Sequence, residues 1–123
     1  MKILALDYGA ARTGVAVSDP TGTLARPLGI VERVGTKAGL QRLVEIVAEE
    51  EPDRILVGMP FTLRGEHGAQ AQETDRFVER LRGVVGVPIE WFDERFTSQL
   101  AGGDDARAAA HLLTDYLEWI RNR

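Results

Sequence analysis

Residues 2–7 form a short apolar run that finishes on Asp7, and residues 13–18 (TGVAVS) form another. Runs this short and this continuously apolar predict strands in the interior of a sheet. Between them, residues 8–12 hold a turn at Gly9, and Asp19-Pro20-Thr21-Gly22 supplies turn chemistry after the second run. Residues 23–34 predict a third strand, which Pro27 assigns to an edge or a bulge because proline donates no ladder hydrogen bond. Turns this short join antiparallel neighbours, so the three strands form a meander.

The period then changes. Leu40, Leu43, Val44 and Val47 recur at helical spacing and predict a helix over 36–51, with Thr36 as its cap. Pro52-Asp53 ends it. The compact run RILVGM at 54–59 predicts a central strand, parallel to its neighbours after the helical crossover. A loop at 60–68 leads into a helix over 69–82 with Phe77, Val78 and Leu81 inward, and then a strand over 87–92. Residues 93–98 leave that strand, a short helical piece follows, Gly102-Gly103 interrupts it, and a final helix occupies 104–121. The order βββαβαβα describes an α/β fold: a five-stranded mixed sheet with helices on both faces. At 123 residues, with no linker or repeat, the expectation is one domain spanning 1–123.

Composition narrows the chemistry. There is no cysteine, which excludes disulfides and cysteine-ligated zinc, and the two histidines, His67 and His111, lie far apart. A metal here is therefore expected to be a hard cation on oxygen ligands. The N-terminal run is too short for a signal peptide and no stretch approaches membrane-spanning length, so a cytoplasmic protein with no membrane partner is expected. The net charge of -4 counts modestly against nucleic acid as a partner. However, nearly all fifteen basic residues are arginine, the better phosphate fork, and Glu49-Glu50-Glu51 reads as a solvated helix end.

Acids fall where chemistry could use them. Asp7 ends the first strand, Asp93-Glu94 ends the fifth, and Asp104-Asp105 opens the last helix. The inward stripe of that helix is Ala108, Ala109, Leu112, Leu113, Tyr116, Leu117 and Ile120. At about 100° per residue, Asp105 falls within roughly a tenth of a turn of its centre, whereas Asp104 points to water. Each acid alone has an ordinary reading, as a turn acid or a helix cap. Three acids at the ends of separate elements make the arrangement that an oxygen-liganded divalent cation requires.

The segment DYGAARTGVAVSD at 7–19 resembles the opening motif of the YqgF/RuvX family, Holliday junction resolvase-like proteins of the ribonuclease H-like superfamily. The resemblance continues through VGMP at 57–60, LRGEHG at 63–68, FDERFTS at 92–98 and DARAAAHLLTDYL at 105–117. It implies a ribonuclease H-like sheet and a metal-dependent nuclease using Mg²⁺ or Mn²⁺. The implied substrates are the 5′ end of precursor 16S ribosomal RNA or branched DNA. Position by position, Asp7 matches the first-strand acid, Glu94 with Asp93 beside it the acids of the DER motif, and Asp105 the last-helix acid.

Gly9 is expected to let the backbone approach substrate or metal. Arg12 and Arg95 are either phosphate forks or ion-pair partners of neighbouring acids. Arg64 is a substrate contact or part of a surface turn, and Glu66 an auxiliary ligand or a helix-entry acid. Thr97 and Ser98 read as helix caps, His67 and His111 as non-catalytic, and Trp91 and Trp119 as core or interface residues. The family's basic segment before the last acid shrinks here to QLAGGD, with no lysine or arginine from Gln99 to Ala106. That departure points to a ribosome-assembly partner, a second subunit or a narrower substrate. A two-fold dimer would suit a four-way junction by symmetry. Two rivals remain: an actin-like or sugar-kinase-like phosphotransferase, for which the chain is too short, and a non-catalytic module that binds RNA or an assembly partner.

Overall fold

The computed structural model describes residues 1–60, 64–94 and 106–123. Its elements are β1 (Ile3–Asp7), β2 (Arg12–Ser18), β3 (Ala25–Glu32), α1 (Lys37–Glu50), β4 (Arg54–Met59), α2 (Ala69–Arg82), β5 (Ile89–Asp93) and α3 (Ala106–Arg121). The sheet order is β3-β2-β1-β4-β5; the first three strands pair antiparallel, and β4 pairs parallel with both β1 and β5. This is the predicted meander followed by two crossovers.

Strand alternation divides the core into two layers. Leu4, Leu6, Val15, Val17, Ile55 and Val57 face Leu43 and Val47 of α1 and Phe77, Val78 and Leu81 of α2. Ile3, Ala5, Ala16, Leu56 and Phe92 face Ala109, Leu112, Leu113, Tyr116 and Leu117 of α3. The α3 face thus carries the smaller side chains, which lets that helix lie close across β1, β2 and β3. Arg54 Nη1 donates to the Tyr116 hydroxyl at 3.1 Å, the hydroxyl donates to Glu90, and Arg54 and Glu90 form an ion pair at 3.1 Å. This triad fastens α3 to the beginnings of β4 and β5.

Local chemistry sets the element ends. The β3 strand starts later than the pattern predicts because the Thr23 and Leu24 amides donate to the Asp19 carboxylate, both at 2.8 Å. It stops at Glu32 because Arg33 takes a left-handed φ of 49°. Pro27 sits on this edge strand where the register slips at Val15/Ala16, as a bulge requires. Thr36 caps α1, its hydroxyl accepting from the Gly39 amide at 3.1 Å.

Three expectations need correction. Ile120 is not part of the buried stripe; it is exposed one residue before the end of α3. Trp91 and Trp119, expected in the core or at an interface, are 53% and 44% exposed, which removes the core half of that expectation; Trp91 lies on the edge strand β5. Glu50 is no solvated acid but pairs with Lys2 at 3.1 Å. The expected helical piece after the fifth strand, the Thr97 and Ser98 caps and the orientations of Asp104 and Asp105 lie outside the described residues. No described helix is long and apolar enough to cross a membrane.

Candidate active site

The site forms where the parallel strands end. Asp7 is the last residue of β1, and alternation from Ile3 and Ala5 places it on the α3 face. Gly58 of β4 lies one position beyond the Leu6–Val57 pair and is opposite Phe92 of β5. It shares the α3 face with Leu56. Glu94 follows β5 directly, and its carboxylate crosses β4 above Gly58 to reach Asp7. A Cβ on Gly58 would lie 2.4 Å from Glu94 Oε1, 3.0 Å from its Cγ and 3.1 Å from its Cδ. A bare glycine in the central strand therefore opens the path by which two acids 87 residues apart in sequence meet.

Electrostatics at this point are unusual. Burial raises the Glu94 pKa above its ordinary value, a hydrogen bond with the Asp7 carboxyl opposes that rise, and the negative charge of Asp93 adds to it. Asp93 is itself buried, and alternation sets it on the face opposite Phe92. The geometry thus brings Glu94 to Asp7, while Asp93 acts on Glu94 through its charge. Among the described residues, no three His, Cys, Asp or Glu side chains form a ready metal cluster. Asp105 and Arg95 lie outside the described residues.

Arg12 begins β2, and alternation from Ala16 and Gly14 sets it on the α3 face, at the exposed rim beyond Asp7. It forms no ion pair among the described residues, so the acid-paired reading has no support there. The close approach that Gly9 permits is to the chain itself: an added Cβ would stand 2.4 Å from the Arg12 carbonyl oxygen. The buried Thr13 hydroxyl donates to the Gly9 carbonyl at 3.2 Å and completes this tight turn. Arg64 and Glu66 are exposed, and His67 pairs with Asp75 at 2.7 Å. Sequence reasoning assigned no role to Gly58. The available signal was a glycine inside an otherwise apolar central strand.

The fold is shared with a solved structure described as "T. thermophilus RuvC in complex with Holliday junction substrate", at a TM-score of 0.68. The match has 17% identity and covers 99% of this chain and 96% of that one. A structure of Thermus thermophilus RuvC gives a TM-score of 0.66 with the same coverage. The five-stranded mixed sheet flanked by helices, shared with these structures, defines a ribonuclease H-like α/β fold. Residues 1–104 match the family model described as "RuvX: Holliday junction resolvase", and the chain belongs to that family. Relatives named "Putative pre-16S rRNA nuclease" include one from Chloroflexus aggregans, 39% identical over 98% of this chain and 95% of its own length. Another, from Rubrobacter xylanophilus, is 42% identical over 95% of this chain and 92% of its own.

Proposed function

We propose that this nuclease is a divalent-metal-dependent endonuclease, using Mg²⁺ or Mn²⁺, with Asp7 and Glu94 as its paired carboxylates and Asp105 as the third. Asp93 serves as a neighbouring acid or additional ligand. The observation that carries this reading is the Glu94 carboxylate lying over Gly58 against Asp7. The donor set fits a hard cation. Both groups offer only oxygen, and the hydrogen bond between them places one proton where a cation's charge could act instead. A bound ion supplies Lewis-acid polarisation of the phosphate and a water of lowered pKa.

The chain's own residues do the rest. Asp7 and Glu94 gather negative charge at one place on the α3 face, and Gly58 keeps the space between them free of a side chain. Arg12 on the same rim is suited to fork a phosphate oxygen pair, with Arg64 and Arg95 as further substrate contacts. Gly9 shapes the turn that carries Arg12.

The proposed substrate is precursor 16S ribosomal RNA near its 5′ end, which the names of the relatives support. The family description supports a second reading, cleavage of four-way DNA junctions. Ribosome-assembly partners and a second copy of the chain belong to these two readings respectively. The test compares Mn²⁺-dependent cleavage of a precursor-rRNA leader and a four-way junction by wild type, Asp7→Asn and Asp105→Asn. Cleavage of the leader, lost in both variants, is expected. Cleavage of the junction alone selects the second reading, and full activity in Asp7→Asn removes the site.

A further inference from the structure

We infer that Arg76 and Arg80, beside the Tyr8 ring, together with Arg12 and Arg33 at the adjoining ends of β2 and β3, form a grip for the phosphate backbone of the nucleic-acid strand entering the Asp7–Glu94 site. The inference rests on the nuclease reading of that site and names how its substrate is held. The short QLAGGD segment brings no basic residue to the acids from the sequence side. The fold brings several from elsewhere.

The contacts run in sequence around the rim. Tyr8 directly follows Asp7 but turns to the opposite face, where its ring stacks on Phe77 of α2 with centroids 4.7 Å apart. Its hydroxyl lies in the field of Arg76 and Arg80, one helical turn apart on α2, and of Glu73. Arg80 Nη1 donates to the Gly35 carbonyl at 3.0 Å, tying α2 to the turn before α1. That turn carries Arg33, whose amide donates at 3.0 Å to the carbonyl of Ala11, next to Arg12.

Two further features point to a ligand. Arg26, Arg42, Arg54 and Arg82, elsewhere on the surface, each pair with a glutamate. The four rim arginines form no ion pair among the described residues, although Glu32 and Glu73 are near enough to have served. Arg33 also holds a left-handed φ of 49°, a conformation that glycine would adopt without steric cost. A strained position occupied by an exposed arginine is explained by what its side chain does. Guanidinium forks match phosphate oxygens, and a cationic rim beside a nuclease site meets a polyanion.

The experiment measures equilibrium binding of a labelled precursor-rRNA leader and a four-way junction in the non-cleaving Asp7→Asn background, between 50 and 200 mM KCl. Removing two phosphate contacts with Arg33→Ala/Arg76→Ala is expected to reduce the slope of log K against log salt. The reduction is about 1.4 for single-stranded and about 1.8 for duplex substrate. Arg42→Ala, on α1 and paired with Glu45, leaves the slope unchanged. Arg33→Gly is expected to raise the melting temperature while weakening binding several-fold, two directions that a merely structural arginine cannot produce together. An unchanged salt slope in a folded double variant overturns the grip, including the case where the rim instead captures an acidic protein. Undiminished cleavage by Asp7→Asn, with the slope reduced in the arginine variants, overturns the reading of the acids and leaves the grip standing.

Discussion

Replacing Gly58 with alanine puts a methyl group into the path of the Glu94 carboxylate. The added carbon would meet Oε1 at 2.4 Å and Cγ at 3.0 Å, whereas non-bonded heavy atoms settle near 3.5–4.0 Å. The carboxylate must retreat by about 1 Å. A displacement of that size at a reacting centre costs about 100-fold in rate, equivalent to about 2.7 kcal/mol at the barrier. Folding suffers little, because the three atoms nearest the new methyl all belong to the far end of one flexible side chain. Removing a strand glycine also returns roughly 0.5–1 kcal/mol of backbone entropy. Mn²⁺-dependent cleavage should therefore fall about 100-fold while the melting temperature moves by only a few degrees. Adding Glu94→Gln to Gly58→Ala should cost far less than Glu94→Gln alone, since both act on one group. Wild-type activity in Gly58→Ala, or collapse of the fold, would show that the carboxylate does not occupy the space above Gly58.

Three further outcomes are expected. Glu94, with its pKa raised in the folded protein, contributes metal-free stability that is complete below its unfolded pKa of about 4.3 and is lost as pH rises through the higher folded value. Thermal melts of the metal-free protein should show that decline, and Glu94→Gln should flatten it. Asp19 has the opposite sign: hydrogen bonds from Leu24, Thr21 and Thr23 hold its pKa well below the usual carboxylate range. Its contribution is present above the unfolded value and disappears on acidification, so Asp19→Ala should lower the melting temperature at pH 7 and weaken the acid dependence below about pH 4. Thr36→Ala removes the hydroxyl that caps α1 and should cost about 1 kcal/mol in urea unfolding, with cleavage unaffected.

Much of this architecture could be read from local pattern. The α2 and β4 boundaries, the Thr36 cap and the position of Pro27 at a bulge each depend on residues close in sequence, where periodicity and turn chemistry speak directly. The candidate acids at the ends of β1 and β5 were visible for the same reason. The function of Gly58 was not, because it depends on three strands aligning so that one residue's missing side chain becomes another's passage. The exposure of Trp91 likewise depends on β5 being an edge strand, which apolar content alone does not reveal. The proposed arginine rim is a tertiary property as well: Arg12, Arg33 and the α2 pair Arg76 and Arg80 come from three separate segments of a chain whose net charge is -4. Net charge reports the sum of the charges, whereas the fold determines where they meet.

The central claim is that Asp7 and Glu94 share a divalent cation. Anomalous diffraction from crystals soaked in Mn²⁺ tests it most directly. A manganese peak about 2.0–2.6 Å from a carboxylate oxygen of each residue is expected, and it should vanish in Asp7→Asn. A fully soaked crystal of the wild type with no peak bridging these two side chains would contradict the account.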